Sequence, residues 1–529
     1  MTRWLPFFAL AVLLALALRL PELGNRPMHN DEGVNAVKFG QLWDHGEYRY
    51  DPTEHHGPTL HYFTAAFCKL TGAPDYKHLS EARLRLLTAL AGVVIILLLP
   101  ILRDDLGRGA IAAAAFLTAL SPAMVFYSRY WIHEELLVLF SFLAIGAVWR
   151  FVKQPSWGWA ALSGAALALM QATKETFVFV LAAAIGSIVL DLLATGLTRR
   201  LKGENGLSTF ALPERRDAML KHVAVGIVVW LVVWATLFSS FFTNWTGLLD
   251  SIRTYIAWSD NAGHQSPHSH EWDFYLERLF WFKSAQGMFW TEGLLFILAI
   301  FAVRESFRLK PRMAADATLV RFLAFYTVLL AAIYAVIPYK TPWCALGFLH
   351  GLILLAGVGA SVLWRINSSL LPRIGLAFVL GVGAMHLGLQ AYRASFVLPA
   401  DRANPWVYAQ TSPDLLNLVE KVRNVAQAGQ GDATLIKVIT AGGDCWPLPW
   451  YLRQFDNVGY WQEVTGDPLA PIVIASAKSD LKLDAQGTHV MVGYFALRPQ
   501  VFLELYVERT LWENFLKKEK DAPHADLTH

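Results

Sequence analysis

Along most of this chain the apolar residues come in long runs, with neither the alternation of a half-buried strand nor the 3.6-residue stripe of a half-buried helix. Segments such as Ala89–Leu102 and Val178–Leu193 are scarcely broken by charge, whereas a soluble helical array would carry a charge every turn or two. With flanking residues, such runs approach the roughly 20 residues that cross a bilayer core. The candidates are Trp4–Leu20, Leu86–Leu102, Ala110–Tyr127, Leu136–Phe151, Trp157–Ala172, Phe177–Leu193, Val223–Phe241, Met288–Val303, Phe322–Ile337, Ala345–Leu363 and Ile374–Tyr392. The pattern therefore predicts a polytopic all-α membrane part of about eleven helices over residues 1–393.

Beyond Arg393 the rhythm changes. Ser412-Pro413-Asp414 reads as a helix start before Leu415–Ala428. The runs Thr434–Thr440, Pro471–Ser476 and Thr488–Tyr494 read as strands, and Val501–Lys518 as an amphipathic helix. Residues 394–529 are thus expected to form a small α/β domain that folds by itself.

Composition sharpens this picture. Of 529 residues, 55% are hydrophobic and only 16% charged, against roughly 25% charged in a soluble domain. The net charge of +3 is too small and scattered for a nucleic-acid partner. Cys68, Cys344 and Cys445 are distant and odd in number, so neither a disulfide framework nor a zinc cluster is legible. Trp4–Leu20 is long for a signal-peptide core, and Arg19, Pro21 and Glu22 make a poor cleavage neighbourhood, so an uncleaved first helix is expected.

Basic residues set the orientation. With the N-terminus cytoplasmic, Arg103, Arg108, Arg150, Lys153, the run from Arg199 to Lys221, and Arg304 to Arg312 all fall inside. The short outer loops then hold only Arg129, Lys174 and Lys340. Residues 21–85, 243–287 and the C-terminal domain face outward, in a cell or inner membrane crossed many times.

The candidate chemistry gathers on that outer side. "MHNDEGVN", Met28–Asn35, puts Asp31 beside Glu32 at the start of a long loop rich in aromatic and histidine residues, including "EHHGPTLHYF" with His55, His56 and His61. A helix lying on the membrane, with the acidic pair at its positive end, would also explain them. "SRYWIHEELL" places Glu134 and Glu135 at a second outer end. The three outward cations are candidates for an anionic ligand, although each alone could snorkel to headgroups. Lys340 leads because Pro338 and Pro342 frame it, with Tyr339 and Trp343 beside it. His264, His268 and His270 fit no closed zinc pattern and suggest a mobile loop.

An apolar first helix, "DE" at its outer end, and a long loop carrying "HHGPTLHY" before the second span together resemble the GT-C membrane glycosyltransferases. The resemblance is greatest to protein O-mannosyltransferases and the lipid A aminoarabinose transferase. "IPYKTPW" at Ile337–Trp343 and "YAQTSPD" at Tyr408–Asp414 resemble a prokaryotic subgroup labelled flippase-activity-associated. The resemblance implies an inverting sugar transfer from a polyprenyl-phosphate donor to a lipid, glycan or protein acceptor at the outer face of the membrane. It implies Asp31 as base with Glu32 orienting it or raising its pKa, and Glu134 or Glu135 as a second acidic site. Lys340, Lys174 and Arg129 would bind the donor phosphate, and His55, His56, Tyr339 and Trp343 the substrate. No cofactor is expected, although a divalent ion between His133, Glu134 and Asp31 would follow oligosaccharyltransferase relatives. A transporter or flippase for lipid-linked sugars is the alternative, which would need ionisable residues and broken helices inside the spans.

Overall fold

The computed structural model describes residues 4–53, 56–201, 216–262, 268–283, 287, 289–308, 310–440, 444–464 and 466–521. They form two compact units: Met1–Leu23, Tyr48–Cys68 and Ala82–Tyr408 in one, and Gly24–Glu47, Lys69–Glu81 and Ala409–His529 in the other.

The larger unit is helical. Seven helices among the described residues are long and apolar enough to cross a membrane: Glu81–Leu106, Glu134–Lys153, Phe177–Gly196, Met219–Phe238, Ala317–Val336, Pro342–Ile366 and Leu370–Val397. An eighth crossing would combine Arg108–Leu120 with Pro122–Ser128, bent by 60°. The bend has a local cause, since Pro122 has no N–H to continue the helix and Ser121 caps the new start. The remaining three of the eleven expected spans appear as helices of 15, 15 and 14 residues: α1 (Leu5–Arg19), Trp157–Gln171 and Gly293–Ser306. At 1.5 Å per residue these fall short of a full apolar crossing.

Burial sorts the helices into centre and rim. The apolar window of Pro342–Ile366 is 83% buried, whereas that of Met219–Phe238 is only 6% buried. The rim helix presents its side chains outward, as a lipid-facing helix does. Close packing of the central helix depends on glycine: a Cβ at Gly359 would fall 1.8 Å from the Leu298 carbonyl oxygen, and one at Gly357 2.6 Å from that of Ala110. Small residues of this kind let apolar helices approach where lipid supplies no hydrophobic drive.

The smaller unit contains a five-stranded sheet. Its strands are β3 (Ile436–Ile439), β4 (Val458–Trp461), β5 (Ile472–Ser476), β6 (His489–Arg498) and β7 (Val501–Glu508), in the order β4-β3-β5-β7-β6. A separate hairpin in the larger unit pairs β1 (Phe282–Lys283) with β2 (Phe289–Trp290). β3 lies parallel to β4 and β5, and β7 antiparallel to β5 and β6. Val501–Lys518, expected as one amphipathic helix, is instead β7 followed by a helix over Arg509–Asp521. Leu503, Leu505 and Val507 are buried at period two, and that alternation decides for strand. The unit also includes the helix α2 (Asn30–His45), so the acidic pair belongs with the C-terminal sheet.

Candidate functional site

The sequence around Asp31 builds a capped helix start. The His29 imidazole accepts from the Asp31 amide at 3.2 Å, and the Glu32 carboxylate accepts from the His29 amide at 2.8 Å. Glu32 is fully buried and also pairs with Arg26 at 3.1 Å. This reciprocal cap satisfies orphan amides and places negative charge at the positive end of the helix. Both Glu32 oxygens are engaged, so this side chain anchors the helix start that carries Asp31. The Asp31 side chain remains 42% exposed. Of the pair, Asp31 alone reaches solvent substantially.

In the larger unit, the turn after His56 is set by Gly57. Its amide donates to the Thr173 carbonyl at 3.1 Å, and the Thr59 amide to that of Ala172 at 3.1 Å. A Cβ at Gly57 would sit 2.1 Å from the Ala172 oxygen. This contact aligns the turn with Lys174 and Glu175. His56 Nδ1 then lies 2.8 Å from Glu175 Oε2, while Tyr50 donates to Glu175 Oε1 at 3.3 Å. Burial alone would raise the Glu175 carboxyl, but His56, a backbone bond and Lys174 together hold it below the ordinary range. Glu175 was not singled out in the sequence, although its place beside an outward lysine in "ATKETF" was a usable signal.

Lys174 is buried and ion-paired with Glu134. Burial disfavours its charge, yet the Glu134 carboxylate more than offsets this and raises its pKa. These two residues line a pocket with Ser141, Tyr334, Trp343 and Cys344. Glu135 points elsewhere: a Cβ on Gly92 would touch both Glu135 Oε1, at 2.8 Å, and Arg19 Nε, at 2.9 Å. The structure thus separates the two glutamates, with Glu134 on the pocket and Glu135 packed beside Arg19. His133 Nε2 bonds the Gly57 carbonyl at 3.1 Å, and burial holds its pKa well below the usual imidazole value. Among the described residues, no three His, Cys, Asp or Glu side chains cluster closely enough to hold a metal ion.

The remaining expected cations have other partners. Lys340 Nζ donates to the backbone carbonyls of His270 and Ile337, and burial lowers its pKa. Arg129 donates to the carbonyls of Leu18, Arg19, Pro21 and Glu22, closing the end of α1. Both are expected to hold phosphate, and in the structure both are engaged by backbone carbonyls. His55 and His264 lie outside the described residues.

His268 and His270, expected on a mobile loop, are fastened to the "PYK" motif. The His270 amide donates to the Pro338 carbonyl at 3.0 Å and the Lys340 amide to that of His268 at 2.8 Å. The Tyr408 hydroxyl sits between His268 Nδ1, at 2.8 Å, and His270 Nε2, at 2.9 Å. Tyr339 is 40% exposed and packs against His268, while buried Trp343 meets the rings of Tyr127 and Tyr408. Sequence reasoning missed Arg278, whose guanidinium lies 3.6 Å from the Phe274 ring centroid. Tyr127, Tyr408, Tyr275 and Glu277 are its electrostatic neighbours. Among the described residues it has no carboxylate at ion-pair distance. Arg278 stands on the long outer element, where a cation is not set apart by the positive-inside trend of the short loops.

Residues 55–212 match the sequence model of the dolichyl-phosphate-mannose-protein mannosyltransferases. No curated relative matches the chain. In three dimensions it is similar to ArnT from Cupriavidus metallidurans bound to undecaprenyl phosphate, with TM-score 0.63, 15% identity, and coverage of 97% of this chain and 99% of that one. It is also similar to the archaeal oligosaccharyltransferase AglB from Archaeoglobus fulgidus, with TM-score 0.55, 12% identity, and coverage of 97% and 77%. The arabinofuranosyltransferase AftD from Mycobacteria gives a TM-score of 0.50 at 15% identity, covering 96% of this chain and 40% of that one. The chain shares the fold of these solved structures along nearly its whole length, and its sequence over residues 55–212 is protein-mannosyltransferase-like. The resemblance to protein O-mannosyltransferases is borne out over residues 55–212.

Proposed function

We propose that this multi-pass membrane protein is a glycosyltransferase that moves a sugar from a polyprenyl-phosphate donor to a lipid, glycan or protein acceptor. The observation that carries this reading is a GT-C fold along nearly the whole chain, matched to a protein with undecaprenyl phosphate bound. The distribution of basic residues supports a cytoplasmic N-terminus and a site at the outer boundary. Asp31 takes the proton from the acceptor hydroxyl or amine. The acceptor atom attacks the anomeric carbon as the bond from that carbon to the phosphate oxygen breaks, and the electron pair leaves with the polyprenyl phosphate. One such displacement inverts the anomeric centre. The residues proposed for the donor phosphate are Lys174 and Arg278. Lys174 keeps Glu134 as counter-ion, and Arg278 is a planar donor suited to phosphate. Trp343 and Tyr339 supply aromatic surface. Purified protein incubated with a panel of radiolabelled polyprenyl-phosphate sugars, with native membranes supplying acceptor, should consume one donor and release polyprenyl phosphate. Consumption of none would contradict the proposal.

A further inference from the structure

Within the smaller unit, the segment leading into α2 is gripped by side chains that lie more than 380 residues later in the sequence. Gln410 Nε2 donates to the Pro27 carbonyl at 3.4 Å. Thr411 Oγ1 donates to the Met28 carbonyl at 2.6 Å, and the Met28 amide donates to the Tyr451 hydroxyl at 2.8 Å. Both backbone groups of a fully buried residue, three positions before Asp31, are therefore satisfied by side chains of the C-terminal segment. One turn further on, Gly33 lies flat against Pro447: a Cβ there would fall 2.6 Å from the proline Cβ and 3.5 Å from the Trp446 ring. Arg26 and Glu32 close the segment on itself. Asp31 is thus a half-exposed carboxylate on a helix start whose approach, cap and first turn are each fixed.

Sheet topology makes the location specific. Pro447 and Tyr451 belong to the connection leaving β3. β3 has β4 on one side and β5 on the other, both parallel to it, so the chain reverses its winding direction at β3. Outside the carboxyl ends of strands at such a reversal, open α/β sheets hold their ligands. Here that connection holds the start of α2.

We propose that Thr411 and Tyr451 are positioning residues for Asp31, so that the C-terminal α/β segment is part of the catalytic apparatus. The inference rests on the reading of Asp31 as base. Losing either hydroxyl leaves a buried Met28 backbone group unpaired and frees the segment that sets the Asp31 carboxylate. A displacement of about 1 Å at a reacting group costs on the order of 10²-fold in rate.

The test uses full-length protein in detergent, with Thr411→Val, Thr411→Ser, Tyr451→Phe and Asp31→Asn beside the parent. Donor turnover, with native membranes supplying the acceptor, is read as release of undecaprenyl phosphate from undecaprenyl-phosphate-linked mannose, arabinose and glucose, and amide hydrogen exchange is read over residues 26–33. Thr411→Val and Tyr451→Phe should lower kcat by about 10²-fold at unchanged donor KM and speed exchange at Met28 and its neighbours. Thr411→Ser should restore both. A merely structural role would lower the amount of folded protein without this split between kcat and KM. Parental exchange over 26–33 in both hydroxyl variants overturns the positioning role whatever the donor. Parental turnover in both, with Asp31→Asn inactive, overturns it while sparing the base. Parental turnover by Asp31→Asn overturns the base reading itself.

Discussion

The ammonium of Lys174, in the turn between two helices, is buried against the carboxylate of Glu134, which precedes it by 40 residues and starts a helix. Isolated, either charge would be costly at this depth. Together they form the polar end of an otherwise largely apolar pocket.

That arrangement gives an asymmetric expectation. Glu134→Ala leaves a buried cation unpaired and should destabilise the protein by about 3–5 kcal/mol. Replacing both residues, Glu134→Leu with Lys174→Met, should recover most of that loss. Lys174→Met alone should also weaken retention of undecaprenyl phosphate. Unfolding in detergent and binding of the labelled lipid phosphate are the measurements. Equal loss in the single and double variants would contradict the ion-pair account.

Gly57 should tolerate no side chain. With a Cβ 2.1 Å from the Ala172 oxygen, Gly57→Ala must separate the turn from Ala172–Thr173 and pull His56 from Glu175. Overpacking of this kind costs about 1–3 kcal/mol. A lowered midpoint in a thermal unfolding series checks it, and an unchanged midpoint would show that the turn relaxes freely.

Glu175 predicts a pH dependence of stability. Its folded pKa lies below the ordinary value of 4.5, so its contribution is present above that value and is lost as pH falls through the folded pKa. The parent should therefore exceed Glu175→Gln in unfolding midpoint near pH 7, and the gap should narrow as the pH is taken below 4.5. A gap that widens on acidification would reverse the assigned sign.

The C-terminal segment should not fold well alone. Trp450 donates to Glu81 at 2.8 Å, Arg453 bonds the Tyr76 and Leu79 carbonyls, and Tyr451 and Pro447 meet the start of α2. A fragment of residues 409–529 lacks all these partners, which come from residues 24–47 and 69–81. It should show weak protection from hydrogen exchange. A cooperative, well-protected fragment would contradict the division into units.

The distant partners of the C-terminal segment are where the sequence stops being legible. Unbroken apolar runs made the membrane part readable, since every crossing helix must satisfy its own backbone. Short runs rich in β-branched residues made β3, β5 and the start of β6 readable. Val501–Lys518 misled because a buried strand runs directly into an amphipathic helix, and the two periods overlap. The motif "DE" led to Asp31 and "HHGPTLHY" to the turn at Gly57. Nothing local to either could show that the first loop divides between units, because the partners of Met28 lie near residues 411 and 451. The carbonyl partners of Lys340 and Arg129 were not legible for a related reason. A lone cation in a short loop reads the same whether it meets a phosphate or, as here, backbone carbonyls.

The most direct measurement is single-turnover transfer by Asp31→Asn with saturating donor, beside the parent. The substitution keeps the shape of the side chain and leaves the His29–Glu32 cap intact, so folding and donor binding should hold. Removal of a positioned base should slow transfer by on the order of 10²–10⁴-fold. Transfer at the parental rate would leave Asp31 as a helix-start charge and contradict the mechanism.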